Sequence, residues 1–393
     1  MPDLPLLSGP RQGWLGGLWE GCARVRGLGG FCSRAQRVRR KRFRARLVED
    51  DVLRQEVATR GPGREFCENL ACWLDERQAP RPMLPLAGAA PDPRVRCSVV
   101  INTLDRATDL SITLSDLAAQ WRVDLDELII VLGPTTDHSR EVIAHSGIPC
   151  RTIDCPERNL SVSRNLGLLA AAGEFVAFLD DDASPCQGWL DALLKPLVES
   201  PSAGASAGFA RDGEGNRYLT RFVVSDRLGR STWCEEEDEA RALIAEAGPD
   251  RAFLSATGCN MAFRRDRILA FGGFDPFYAY FLEETDLVLR LQEAGHPCLP
   301  CPESVVRHRQ GANIARSPDA SIASRQIIMR SQLHYIRKHG LSAFSRADRE
   351  SCIWQRVLAD LERIAWDHPV AAASLQRAYL TSLSAVLDGG GTL

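Results

Sequence analysis

Three adjacent carboxylates, Asp180, Asp181 and Asp182, directly follow the apolar run EFVAFL at 174–179. Charges so close repel one another unless something positive sits among them. Strand alternation sends Asp180 and Asp182 to the same side. That pairing, at the end of a buried strand, suits an oxygen-ligated divalent cation, Mg²⁺ or Mn²⁺, whose shell a diphosphate would complete. A second acidic cluster, Glu283, Glu284 and Asp286, opens an apolar-periodic stretch through Leu287, Leu289 and Leu291. Acids at a helix N-terminus interact favourably with its dipole, by ~0.3–1 kcal/mol each, so capping alone accounts for one or two of them. It does not account for the apolar approach FYAYFL, which would raise a carboxylate pKa and suit a general base.

The elements that must hold these clusters can be read from residue 97 onward. CSVVIN (97–102), ELIIVL (127–132), a short stretch near 150–154 and EFVAFL (174–179) read as buried strands. Between them lie helical patterns through Leu110, Leu114 and Leu117, near 137–145, and near 160–172. This alternation predicts a parallel sheet covered on both faces. Ligands bind such sheets beyond the C-terminal ends of the strands, where Asp180–Asp182 would sit. Residues 203–310 mix strand-like and helical stretches, and from about 318 the pattern is helical. Before the sheet, 48–78 carries a helical apolar rhythm and 79–95 is rich in Pro and Ala, as a linker would be. The predicted organisation is a basic arm at 1–47, a helical segment and linker at 48–95, an α/β domain at 96–310 and a C-terminal helical region at 311–393.

The 393 residues are 45% hydrophobic and 25% charged, which excludes disorder throughout. A net charge of −3 excludes a polycation built for nucleic acid, and no nucleic-acid partner is expected. The balance hides a split, because residues 1–47 alone carry a net +9. Trp14, Leu15, Leu18 and Trp19 precede RVRRKRFRAR at 37–46, a combination able to lie on an anionic membrane surface. No run of 18 apolar residues occurs, and the N-terminus lacks the order of a signal peptide. Thirteen scattered cysteines point to reduced thiols and a cytoplasmic location, peripheral at the inner face of the membrane if the arm binds lipid. Cys298 and Cys301 form one Cys-x-x-Cys without a second ligand pair, and read as small apolar residues rather than a zinc site. Lysine occurs only at Lys41, Lys195 and Lys338, against 45 arginines, a bias read as GC-rich bacterial coding.

Residues 96–310 resemble the family 2 glycosyltransferases, inverting enzymes of the nucleotide-diphospho-sugar-binding GT-A fold. The matching stretches are SVVINTLDR, NLSVSRNLGLLAAAGEFVAFLDDDASP, GCNMAFRRDRI, GGFDPFYAYFLEETDLVLRL and VVRHRQ, in that order. The resemblance implies a GT-A fold with a Rossmann-like, mostly parallel sheet, extended by the arm and the C-terminal helices. It implies that Asp180–Asp182 is the DxD motif, with Asp180 and Asp182 on Mg²⁺ or Mn²⁺ and Asp180 and Asp181 toward the donor. His308 falls where the family often has a further metal-contacting histidine. Arg164 and Asn165 follow the donor-side Arg-Asn motif, and Thr103 and Arg106 should line the nucleotide pocket. Glu284 falls at the catalytic base, with Glu283 toward the acceptor and Asp286 bracing the helix. GCNMAF, with Gly258 and Asn260, should form an acceptor-side wall. One position departs from the pattern, because Leu132 stands where the family commonly has a nucleoside-contacting Asp.

The implied reaction is single displacement from a nucleotide-diphospho-sugar to a hydroxyl of a saccharide or lipid-linked acceptor, in bacterial polysaccharide or glycoconjugate synthesis. A sugar nucleotidyltransferase would share the sheet and carboxylates, but SVVINTLDR lacks the glycines of its phosphate loop. A non-catalytic scaffold of the same fold should have lost one acidic cluster, and both are present.

Overall fold

The computed structural model describes residues 54–55, 57–59, 62–76, 80–309 and 317–388. The basic arm at 1–47 and its aromatic cluster lie outside the described residues. The elements, in chain order, are α1 (Pro62–Asp75), β1 (Cys97–Thr103), α2 (Ala107–Ala118), β2 (Asp126–Leu132), α3 (Ser139–Ala144), β3 (Cys150–Asp154), α4 (Leu160–Ala170), β4 (Phe175–Asp180) and β5 (Ala183–Pro185). Then follow α5 (Trp189–Glu199), β6 (Ala205–Asp212), β7 (Tyr218–Thr220), β8 (Phe222–Asp226), β9 (Ser231–Cys234), α6 (Glu237–Ala247), β10 (Ala252–Ser255), β11 (Asn260–Arg264) and α7 (Arg265–Ala270). The last are α8 (Glu283–Glu293), β12 (Cys298–His308), α9 (Pro318–Tyr335), a π-helical turn (Ile336–Gly340), α10 (Arg346–Asp367) and α11 (Ala372–Asp388).

The chain groups into two compact units. One comprises Ala79–Ala315 and Ser331–Ala343, and holds a nine-stranded sheet in the order β3-β2-β1-β4-β11-β6-β12-β5, with β7 also pairing with β6. β3, β2, β1 and β4 run parallel. Beyond β4 the sheet becomes mixed, because β11 runs antiparallel between β4 and β6 while β12 pairs parallel with β6. Alternation explains the continuous apolar runs. Val100, Ile129, Val131 and Phe178 enter one core, and Val99, Ile101, Leu128, Ile130 and Leu179 enter the other. Both faces are therefore covered. Helix α4 lies unusually close to β1, since a Cβ on Gly167 would come 2.4 Å from Val100 Cγ1. A small antiparallel sheet, β10-β8-β9, lies in the same unit.

The Pro/Ala-rich stretch read as a linker is bonded to this unit. The amides of Leu86, Ala89 and Asp92 donate to the carbonyls of Leu269, Leu169 and Ala172 at 2.8–2.9 Å. Proline-rich chain cannot fill a sheet ladder, yet its remaining N–H groups still need partners.

The other unit comprises Met1–Gln78, Arg316–Arg330 and Phe344–Leu393. Its described part is helical. A capping box of Ser345 and Asp348 starts α10, and Ile353, Val357, Leu361 and Ile364 form its buried stripe. Phe66 of α1 meets Trp354 edge-on at 5.4 Å. The buried Asp360 carboxylate accepts from Arg325 at 2.8 Å and from the Tyr379 hydroxyl at 2.7 Å. Among the described residues, no helix is long and apolar enough to cross a membrane.

Candidate active site

β4 ends at Asp180, level with Asn102 on β1, so the acidic triplet stands at the C-terminal edge of the parallel strands. Its arrival there follows from a buried apolar strand that must end where the sheet meets solvent. β12 pairs with β5 so that His308 faces Ala183, which brings the imidazole against the triplet. His308 Nε2 lies 3.0 Å from Asp182 Oδ1 and 3.8 Å from Asp180 Oδ2. Asp180, Asp182 and His308 each offer one donor atom, and these atoms lie within 4.8 Å of one another. Two carboxylates and one imidazole, with no thiolate in the set, fit Mn²⁺ or Mg²⁺ with positions left for phosphate oxygens.

Buried negative charge here is held by arginine. Arg106 Nη2 lies 2.7 Å from Asp182 and its Nε 3.3 Å from Asp181, while Nη2 also contacts Asp109 at 2.9 Å. Burial pushes the Asp181 carboxyl up to about 7, against the pull of Arg106 and the Thr103 hydroxyl beside it. Burial likewise raises Asp180, with Arg164 and His308 opposing. For His308 burial disfavours the charged form, but the bonds to Asp182 and Cys259 and the charge of Asp180 together outweigh it, and the imidazole is pushed up to about 11. A cation bound at the triad would replace that proton.

The second acidic cluster arrives on α8. The chain enters it through Phe281 and Leu282, both left-handed at φ 78° and 71°. Such backbone is costly for non-glycine residues, ~1–3 kcal/mol each, and persists only where surroundings impose it. The turn throws Glu283 and Glu284 toward the strand ends. Arg164, buried on α4, joins the two clusters, with Nη1 2.8 Å from Glu283 Oε1 and Nη2 3.8 Å from Asp180 Oδ1. Its guanidinium lies over Phe274 at 5.3 Å, a further hold on its plane. Burial and the neighbouring Glu283 carboxylate push Glu284 up to about 8, with Arg164 opposing. Asp286 behaves oppositely. It is fully buried, yet Arg290, Lys338 and His339, each at 2.8 Å, hold it well below the usual carboxylate range despite the burial.

Arg106, Arg164, Asp180, Asp181, Asp182, Glu283 and His308 are thus joined by contacts of 3.8 Å or less, with Thr103 beside Asp181 and Glu284 beside Glu283. Two residues expected here are used elsewhere. Asn165 donates to the Phe274 carbonyl at 2.7 Å and accepts from its N–H at 2.9 Å, so its amide fixes the chain ahead of α8. Asn260 is fully buried. It accepts from Trp189 Nε1 at 2.7 Å and donates to the carbonyls of Phe209 and Ser304, bracing β11 from within. Gly258 does face Arg164, since a Cβ there would lie 2.6 Å from Nη2. The site also contains residues the sequence did not mark. Asp137 accepts from the N–H of Ala107 at 2.8 Å and so holds the start of α2 beside Arg106. Arg309 Nη2 donates to Thr113 Oγ1 at 2.7 Å, and that hydroxyl bonds the Asp181 carbonyl. Asp137 lies five residues beyond Leu132, too far for a fixed-position pattern to find it.

Residues 98–266 match the sequence profile described as Glycosyl transferase family 2. The chain is 26% identical over 191 residues to a glucosyl-dolichyl phosphate glucuronosyltransferase of Haloferax volcanii, covering 46% of this chain and 56% of that one. It is 28% identical over 163 residues to an N-acetylglucosaminyl-diphospho-decaprenol L-rhamnosyltransferase of Mycobacterium tuberculosis, covering 38% and 52%. The chain thus spans about half the length of these relatives. Among solved structures, a mannosyltransferase from Pyrobaculum calidifontis in complex with GDP-Man and Mn²⁺ aligns at 16% identity and a TM-score of 0.46, over 84% of this chain and 95% of that one.

Proposed function

We propose that this protein, whose residues 98–266 match the Glycosyl transferase family 2 profile, moves a sugar from a nucleotide-diphospho-sugar to an acceptor hydroxyl, with inversion and with a divalent metal. The observation that carries the reading is Arg164, one buried guanidinium that touches both the strand-end carboxylates and the α8 pair. Asp180, Asp182 and His308 would hold the ion, and Arg106 and Arg164 would face the diphosphate. A divalent ion there supplies Lewis-acid stabilisation of the departing nucleoside diphosphate. Glu284 takes the proton from the acceptor hydroxyl as its oxygen attacks the anomeric carbon. Glu283, already bonded to Arg164, keeps its neighbour basic by adding negative charge. The sugar–oxygen bond of the donor breaks on the opposite face, so an α-linked donor gives a β-linked product. NMR of the product's anomeric proton tests this: inversion is expected, and a retained configuration would overturn the single displacement.

The relatives named for dolichyl phosphate and diphospho-decaprenol substrates support a lipid-linked acceptor and a role in bacterial glycoconjugate or polysaccharide synthesis. The net +9 of residues 1–47 supports peripheral attachment to an anionic membrane. Removing those residues should lower co-sedimentation with anionic liposomes at low salt and leave turnover on a soluble acceptor unchanged. A full-length protein that ignores such liposomes would refute the attachment.

A further inference from the structure

The loop from Asp275 to Leu282 delivers Glu283 and Glu284, and it is fastened from two sides. On one side α4 supplies the fasteners. Asn159 Nδ2 donates to the Pro276 carbonyl at 2.8 Å, Ser161 Oγ to Tyr278 at 2.7 Å, and the Leu160 N–H to Ala279 at 2.9 Å. On the other side lies the segment 331–340, far along the chain but part of the same compact unit. Ser331 Oγ donates to the Tyr280 carbonyl at 2.8 Å. The His334 ring stacks on Phe277 at 3.8 Å, and its Nε2 meets Asp275 at 3.1 Å. Lys338 Nζ reaches Asp275 Oδ2 at 2.7 Å and Asp286 Oδ1 at 2.8 Å. His339 Nε2 bonds Asp286 at 2.8 Å.

Asp275 precedes the loop's aromatic run and Asp286 follows the catalytic pair, so a single ammonium ties together the two ends of the stretch that aims Glu284. Both carboxylates are buried, at 8% and 0% exposure. Without Lys338 they would face each other with less compensation in a medium that screens poorly. The residue type is informative. In a chain with 45 arginines and three lysines, this position holds a compact ammonium whose rotatable donors point at two acceptors on either side of the catalytic pair. The turn that carries Lys338 is π-helical, Ile336–Gly340, a rare geometry frequently found at functional sites.

We infer that Lys338, with His334 and His339, positions the catalytic base: the segment 331–340 is a clamp that holds the left-handed turn at Phe281–Leu282 and so sets the aim of Glu284. The inference rests on the reading of Glu284 as base. Lys338 touches no reacting atom, and its effect passes through the loop. A displacement of about 1 Å at a reacting group can lower a rate ~10²-fold.

The test uses the full chain. Lys338→Met keeps the length of the side chain and removes its charge. Its expected signature is kcat reduced ~10²-fold, with Mn²⁺-dependent donor affinity unchanged and faster hydrogen exchange in peptides covering 275–286. The double variant Lys338→Met/Asp275→Asn removes the opposing charge as well, and should recover part of kcat and of the exchange protection. Parental kcat and exchange in Lys338→Met would overturn the clamp. Equal losses of kcat and donor affinity, absence of any rescue, or failure of both variants to fold would overturn it too, as marks of a merely structural lysine. If the parent transfers no sugar the reading of the reaction fails, while hydrogen exchange still decides whether the clamp holds the loop.

Discussion

Glu284→Gln should keep the shape of the site and lower transfer ~10²–10⁴-fold, the usual worth of a general base. The amide cannot accept a proton, and the triad proposed to bind the donor through its ion is untouched, so donor affinity should stay near parental. The parent's pH profile should carry the same signature. Burial and Glu283 push Glu284 up to about 8, and the base acts only when ionised. kcat/KM should therefore climb through pH 7 and level off above about 8, with an apparent value belonging to the Glu283–Glu284 pair rather than to one residue. Stability should move the other way. A carboxyl raised above its ordinary value disfavours the folded state as it ionises, an effect absent below about 4.5 and complete above about 8. Glu284→Gln removes it, so the variant should unfold at higher temperature than the parent at pH 8–9, with the gap closing near pH 4. An inactive variant that has become more stable is hard to explain by damage to the fold. Near-parental transfer by Glu284→Gln, with loss in Glu283→Gln, would move the base by one residue.

Asp182→Asn should be the most severe change in the donor half. The Asp182 carboxylate is 3.0 Å from His308 and 2.7 Å from Arg106, and would be one of the two charged ligands of the ion. A bound ion supplies several kcal/mol of charge stabilisation at the leaving group, so transfer should fall ~10³-fold or more. Calorimetry should show Mn²⁺-dependent donor binding lost, while circular dichroism stays parental. The fold should survive because Arg106 retains Asp181 and Asp109 as partners. Equal Mn²⁺-dependent donor affinity in variant and parent would remove Asp182 from the metal site.

Much of this was legible in the chain itself. The parallel half of the sheet follows from runs such as Ile129–Leu132, buried at every position, and the acidic triplet follows β4 because ligands gather at strand ends. The acidic cluster at 283–286 stood out because aromatic residues precede it, while the choice of Glu284 as base came from the resemblance. Contacts between distant segments were not legible. Nothing in HYIRKHG at 334–340 says that Lys338 will meet Asp275 and Asp286, since that depends on where a later helix packs. Asn165 and Asn260 were placed by resemblance at the site, but an amide bonded on both sides to backbone serves the frame. The extent of the sheet-bearing unit was hidden for a similar reason. Proline-rich chain at 80–95 looks like a free linker until its few N–H groups find carbonyls on α4 and α7 or at their ends.

The central claim is that the triad and the α8 carboxylates together drive metal-dependent release of a nucleoside diphosphate as sugar is transferred. The most direct measurement is nucleoside diphosphate release from a panel of nucleotide-sugars, with acceptor, with and without Mn²⁺, by the parent and by Asp182→Asn. Release from at least one donor is expected, requiring both Mn²⁺ and the parental Asp182. Release that is as fast without metal, or as fast in Asp182→Asn, would contradict the account.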